Sequence, residues 1–209
     1  MSELDIVGKS CPQIDGMQKA MGKTKFVTDL VLPGMLYGRT LRSPYPHANI
    51  KNIDTSKAKI LRGVRAIATY ADTPGIKFGP RTEDWTIFAG DKARFHGDEI
   101  AAVAAVDEDT AEEALELIGV EYEELPFVVD PLEAMLAGAP LVHDDKPGNI
   151  AAEFKIEAGD VDQAFKDSHF IYEDRYHLNQ VYQAYMEPMA TLADVDLSGR
   201  ITLWTGTQI

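Results

Sequence analysis

The sequence has almost no cysteine, no long apolar run and, over most of its length, little positive charge. Its single cysteine, Cys11, excludes an intramolecular disulfide and any cluster of cysteine ligands, which agrees with a reducing compartment. No apolar stretch approaches the roughly 20 residues a membrane-spanning helix needs, and residues 1–8 lack a basic segment followed by a hydrophobic one. The expectation is a cytoplasmic protein with no membrane partner. Residues 1–81 carry 13 Lys/Arg against 6 Asp/Glu, whereas residues 82–209 carry 7 against 28, for a net charge of −14. Phosphate contacts need a surplus of positive charge, so a nucleic-acid partner is excluded. The acidic excess reads as a solvated face, with a surface for a basic partner as the alternative.

Several familiar chemistries are also missing. Gly16 and Gly22-Lys23-Thr24 are separated by five residues where a phosphate-cradling loop needs four, and no strand is expected before them. There is no GxGxxG, GxSxG or CxxC. The histidines His47, His96, His143, His169 and His177 have no ligand-like spacing, so no metal site is expected from these residues alone. Glu121, Glu123 and Glu124 alternate as on a strand edge, which favours a solvated face over an acid–base pair in a cleft. No catalytic residue is assigned within the sequence.

What is present is regular patterning. Residues 1–20 read as an extended arm. Apolar runs at 35–41, 48–53 and 64–70, broken by turn residues, predict strands. Asp54-Thr55-Ser56 can cap a short helix over 57–61. A glycine- and proline-containing stretch, 72–91, predicts a long surface loop. The continuous apolar run 100–106 suits a strand covered on both faces, Asp107-Glu108-Asp109-Thr110 caps a helix to about residue 118, and 120–123 returns as a strand. Pro131 opens a short helix to 136, and 137–149 reads as a linker. Beyond it, a helix capped by Asp160 and alternating runs at 169–180, 189–196 and 200–205 predict a β-rich unit. The fold class is α+β, divided into an arm (1–20), a first domain (21–130), a linker (131–150) and a second unit (151–209). The sequence stops on a strand pattern and not on a polar tail, which reads as part of a longer polypeptide.

Taken in order, Leu32-Pro33-Gly34-Met35-Leu36-Tyr37-Gly38, Leu41-Arg42-Ser43-Pro44, His47-Ala48-Asn49-Ile50, Gly63-Val64-Arg65-Ala66, Lys92-Ala93-Arg94-Phe95-His96-Gly97-Asp98 and Val120-Glu121-Tyr122-Glu123-Glu124-Leu125-Pro126 resemble the α/β hammerhead domain of the xanthine dehydrogenase/aldehyde oxidase family of molybdenum hydroxylases. Met186-Glu187-Pro188 and Trp204-Thr205-Gly206-Thr207-Gln208 resemble the start of that family's first molybdopterin-binding domain. Ala93 and Phe95 depart mildly from the family's pattern.

The resemblance implies part of the molybdenum-carrying subunit of an oxidoreductase acting on an aromatic heterocycle, an aldehyde or an aromatic acyl thioester. Molybdopterin would be its cofactor, and iron–sulfur centres and FAD would sit on partner domains or subunits. The family's catalytic glutamate and glycine-rich cofactor loop fall beyond residue 209, so this segment is expected to be inactive alone. One position carries over as cofactor-binding: Gln208 matches the glutamine whose amide lies beside the metal. Glu187 is read as structural, at a turn before a proline. The alternatives are a free-standing hammerhead interaction module and a small enzyme using Glu121–Glu124.

Overall fold

A computed structural model describes residues 6–79 and 82–207. The first residues of the arm, Pro80 and Arg81 of the surface loop, and Gln208 and Ile209 lie outside the described residues. In chain order the elements are α1 (Gly16–Ala20), β1 (Tyr37–Arg42), β2 (Ala48–Asp54), α2 (Ser56–Ile60), β3 (Val64–Thr69), β4 (Lys77–Phe78), β5 (Trp85–Thr86), β6 (Lys92–Ala93), β7 (Glu99–Ala105), α3 (Glu108–Glu116), β8 (Gly119–Glu124), α4 (Pro131–Ala134), α5 (Val161–Asp167), β9 (Thr191–Val195) and β10 (Ile201–Thr205). The architecture is α+β, as the sequence pattern indicated. The chain divides into two compact units, one formed by Gly34–His169 and the other by Met1–Pro33 with Phe170–Ile209.

The first unit is organised around β7. This strand lies between β1 and β3 and is antiparallel to both, with Val103 opposite Arg39 on one side and Ile67 on the other. Its run of small and branched apolar residues has no polar face because both faces are covered. Ala101 and Val103 pack with Ala58, Ala114 and Ile118, while Ile100 packs with Ala89 and Ala93. Leu41, Ile53 and Val120 touch both clusters. Full burial of Ile100 and Val103 stabilises the fold by about 2 kcal/mol each. Ala58, Ala111 and Ala114 are fully buried on the two helices, and their lack of bulk lets α2 and α3 lie close on the strands.

A second antiparallel sheet, in the order β6-β2-β8, completes the unit. The helix starts follow cap chemistry. Asp107 accepts the Thr110 N–H at 2.8 Å, and Asp130 accepts those of Leu132 and Glu133, with Pro131 in the first turn of α4. At α2 the carboxylate that accepts an N–H belongs to Asp54, which takes the Ser56 N–H at 2.9 Å.

Four expectations need revision. Part of the 72–91 stretch is ordered as the β4–β5 hairpin, where Phe78 and Trp85 meet edge to face at 5.9 Å. Residues 16–20 of the arm are helical, and among the described residues no strand precedes them. The 137–149 segment, without a packing period, is closed by one side chain. Asn149 accepts the Val142 N–H and donates to the carbonyls of Ala134 and Pro140, all within 3.0 Å. Finally, residues 169–180 alternate correctly but form no strand. A strand needs a neighbour for its backbone groups, and among the described residues none pairs with this run, so Phe170, Tyr172, Tyr176 and Leu178 stay exposed.

In the second unit, β9 and β10 form an antiparallel hairpin with Trp204 opposite Leu192. Its turn is set by Asp196, whose Oδ1 accepts the N–H groups of Ser198 and Arg200, and by Gly199 at φ 84°, a left-handed conformation that favours glycine.

Candidate functional site

Gln208, the position expected to face the cofactor, lies outside the described residues. The strand that leads to it is described. β10 runs to Thr205, whose hydroxyl is 3.0 Å from that of Thr191 on β9. Beyond it, Gly206 sits against Glu187: a Cβ on that glycine would come within 3.2 Å of Glu187 Oε1. Glu187 therefore does more than precede a proline, because its carboxylate packs on the backbone just before Gln208. Met189, Thr191, Thr205 and Thr207 line an open hollow of about 330 Å³ beside this point.

To hold molybdopterin, the residues around this hollow would have to form a wall of polar donors shielded from water. Among the described residues of 170–207, only Glu187, Ala190, Leu192 and Trp204 are even partly buried, and no group of three metal-ligating side chains is present. They offer threonine hydroxyls, backbone N–H groups and one carboxylate on an open rim. By themselves they do not enclose the cofactor.

The other candidates are resolved by their partners. Glu123 lies 2.6 Å from the Lys51 ammonium and accepts the Asn49 amide at 2.7 Å. The Lys51 contact, supported by Asn49, holds its carboxyl below the usual range, as in a surface ion pair. Glu121 and Glu124 are exposed on the same edge strand, so the three carboxylates share no cleft. His96 is exposed in a turn. His47 is buried, and its Nδ1–H donates to the Pro126 carbonyl at 2.7 Å, pinning the chain after β8 onto the start of β2.

Two hollows meet beneath the β4–β5 hairpin. One, of about 620 Å³, is polar and includes Lys77, Asp91, Asp144 and Lys146. The other, of about 640 Å³, has aromatic walls from Phe78, Trp85 and Phe95. Arg94 and His143 line both. Asp98 opens into the aromatic hollow. Burial pushes its carboxyl above the ordinary value, against the lowering effect of the Arg94 backbone N–H that it accepts at 2.9 Å. Periodicity does not mark this place, because its walls come from a stretch without it. The available signal was three aromatic residues, Phe78, Trp85 and Phe95, among turn-forming neighbours.

Comparison with known proteins agrees with this architecture. Residues 21–126 match the family described as aldehyde oxidase and xanthine dehydrogenase, a/b hammerhead domain, and residues 142–209 match the molybdopterin cofactor-binding domain. The chain belongs to the aldehyde oxidase and xanthine dehydrogenase family. It is 43% identical to a probable xanthine dehydrogenase subunit of Bacillus subtilis (strain 168), over 93% of this chain and 26% of that protein. It is 37% identical to the nicotinate dehydrogenase large molybdopterin subunit of Eubacterium barkeri, over 99% of this chain and 48% of that protein. Among solved structures, quinoline 2-oxidoreductase from Pseudomonas putida 86 aligns with a TM-score of 0.84 at 31% identity, covering 96% of this chain and 27% of the other. The chain thus spans about a quarter to a half of the length of the curated relatives named here. No helix among the described residues is long and apolar enough to cross a membrane.

Proposed function

We propose that this chain serves as the hammerhead domain and the beginning of the first molybdopterin-binding domain in the molybdenum-carrying subunit of a cytoplasmic hydroxylase. One observation carries the reading: two family matches follow one another along the chain, at 21–126 and 142–209. Functionally, the segment divides into an arm (1–20), the hammerhead (21–130), a connector (131–150) and the opening of the cofactor domain (151–209). The substrate class is an aromatic heterocycle, an aldehyde or an aromatic acyl thioester, and iron–sulfur and flavin domains or subunits are the partners that take the electrons.

In such an enzyme the molybdopterin-bound metal supplies the hydroxylation chemistry. The contribution of this chain is positional. The β9–β10 hairpin and the Glu187–Gly206 contact fix the backbone that leads into Gln208. Gln208 is proposed to present its side-chain amide, two N–H donors and a carbonyl, to one edge of the cofactor pocket. No general acid or base is assigned to this segment.

The test is elemental analysis of molybdenum and iron in the 209-residue chain beside the chain extended to its native stop codon. Molybdenum in the longer form and none in the shorter supports the proposal. A gene that ends at Ile209 and yields a metal-free product would instead support a free-standing interaction module.

A further inference from the structure

The aromatic hollow under the β4–β5 hairpin has no part in the proposed function, and its chemistry is specific. Phe78 and Trp85 form one wall, at 5.9 Å and nearly perpendicular, and Phe95 forms another, all three rings being substantially exposed. Ile87 and Val142 supply aliphatic surface. The volume, about 640 Å³, is in the range of small-molecule sites.

The charges around the hollow are unequally satisfied. Glu99 is held by the Arg42 guanidinium at 2.6 Å. Arg94 donates from Nη1 to the Lys92 carbonyl at 3.2 Å and lies 3.9 Å from Asp91, a residue of the neighbouring polar hollow. Asp98 accepts a backbone N–H on Oδ2, and the Arg94 guanidinium of the same lining attracts it from farther away, but among the described residues no ammonium or guanidinium lies within ion-pair distance of it. A half-buried carboxylate beside aromatic faces attracts a cation twice over, through a charge-assisted hydrogen bond and through the ring quadrupoles.

From this geometry we propose that the hollow lined by Trp85, Phe95 and Asp98 is a binding site for a small protonated amine with an apolar or aromatic body. The ammonium group lies against Asp98 and the aromatic faces, and the body lies along Ile87 and Val142. The lining sets the carboxylates of Asp84, Asp98 and Glu99 against the guanidinium of Arg94, so an anion of the same shape binds weakest. The site uses neither Gln208 nor the hollow beside it, and every residue in it belongs to the compact unit Gly34–His169.

The experiment titrates the 209-residue chain with 2-phenylethylammonium, the neutral 2-phenylethanol and the anionic 3-phenylpropionate. Trp85 fluorescence is followed in a Trp204→Phe background, so that a single indole reports. The expected result is saturable binding of the ammonium probe, roughly tenfold tighter than the alcohol, with the anion weakest. Asp98→Asn should erase the preference for ammonium over alcohol while leaving alcohol binding unchanged. Should that variant fail to fold, ammonium-specific shifts of the Trp85 indole N–H resonance in the parent chain decide the matter, and their absence rejects the site. Equal binding of all three probes, or an Asp98→Asn protein that keeps the ammonium preference, overturns the proposal. So does binding of a Lys-Phe peptide without binding of the free amine, which would mark the hollow as a protein-docking surface.

Discussion

Lys92 places its ammonium 3.2 Å from the Asp144 carboxylate, tying β6 to the connector 52 residues further along the chain. The two ends differ in exposure: the Lys92 side chain is 13% exposed and that of Asp144 is 79% exposed. Removing the exposed partner therefore leaves a nearly buried cation unpaired, whereas removing the lysine leaves a carboxylate that water can solvate. Asp144→Ala should cost about 1 kcal/mol in urea denaturation and Lys92→Met less. If the two variants were equally destabilised, the contact would be an ordinary surface pair.

Asn149 sits at φ 56° and closes the connector through three hydrogen bonds. Asn149→Ala keeps the left-handed backbone without its bonds and should lose about 2–3 kcal/mol, whereas Asn149→Gly, free of backbone strain, should lose about 1 kcal/mol less. Limited proteolysis read at residues 134–149 reports the loosening directly. Cleavage no faster than in the parent chain would mean that other contacts hold the connector.

Asp107 caps α3, and the Thr110 hydrogen bond holds its carboxyl below the ordinary value of 3.8. A carboxyl lowered on folding contributes stability above its unfolded pKa and loses it as pH falls through the folded value. Asp107→Ala should lower Tm by roughly a few degrees at pH 7, with the deficit shrinking toward pH 2. Asp107→Asn retains an acceptor oxygen, so its Tm should fall less at pH 7 and vary less with pH. Thermal melts across the acid range measure both, and a pH-independent deficit in Asp107→Ala would exclude a charge contribution.

Gly90 lies under the ring of Tyr70, where a Cβ would come within 2.9 Å of ring carbons. Gly90→Ala should destabilise by about 1–2 kcal/mol because the ring must move. Combining it with Tyr70→Leu should give less than the sum of the two single costs, since removing the ring also removes the crowding. Additive costs in a double-mutant cycle would show that the glycine is kept for another reason.

Much of the Gly34–His169 unit was legible in the sequence because its determinants act over a few residues. The β7 run, the acidic caps at Asp107 and Asp160, and Pro131 at the first turn of α4 each specify a local conformation by sterics or by one hydrogen bond. The ordered motifs did more than periodicity could, placing the chain in a family whose matches at 21–126 and 142–209 follow the same order. Tertiary structure decided whatever depends on partners distant in sequence. The alternation at 169–180 was readable, but no strand forms without a neighbour to take its hydrogen bonds. Asn149 appeared as one linker residue among many until the carbonyls of Ala134 and Pro140 were brought to it. Asp98 read as the end of a motif, and only the convergence of Phe78, Trp85 and Phe95 around it made a hollow. Periodicity and caps are properties of a segment, whereas enclosure and pairing belong to surfaces that meet only when the chain has folded.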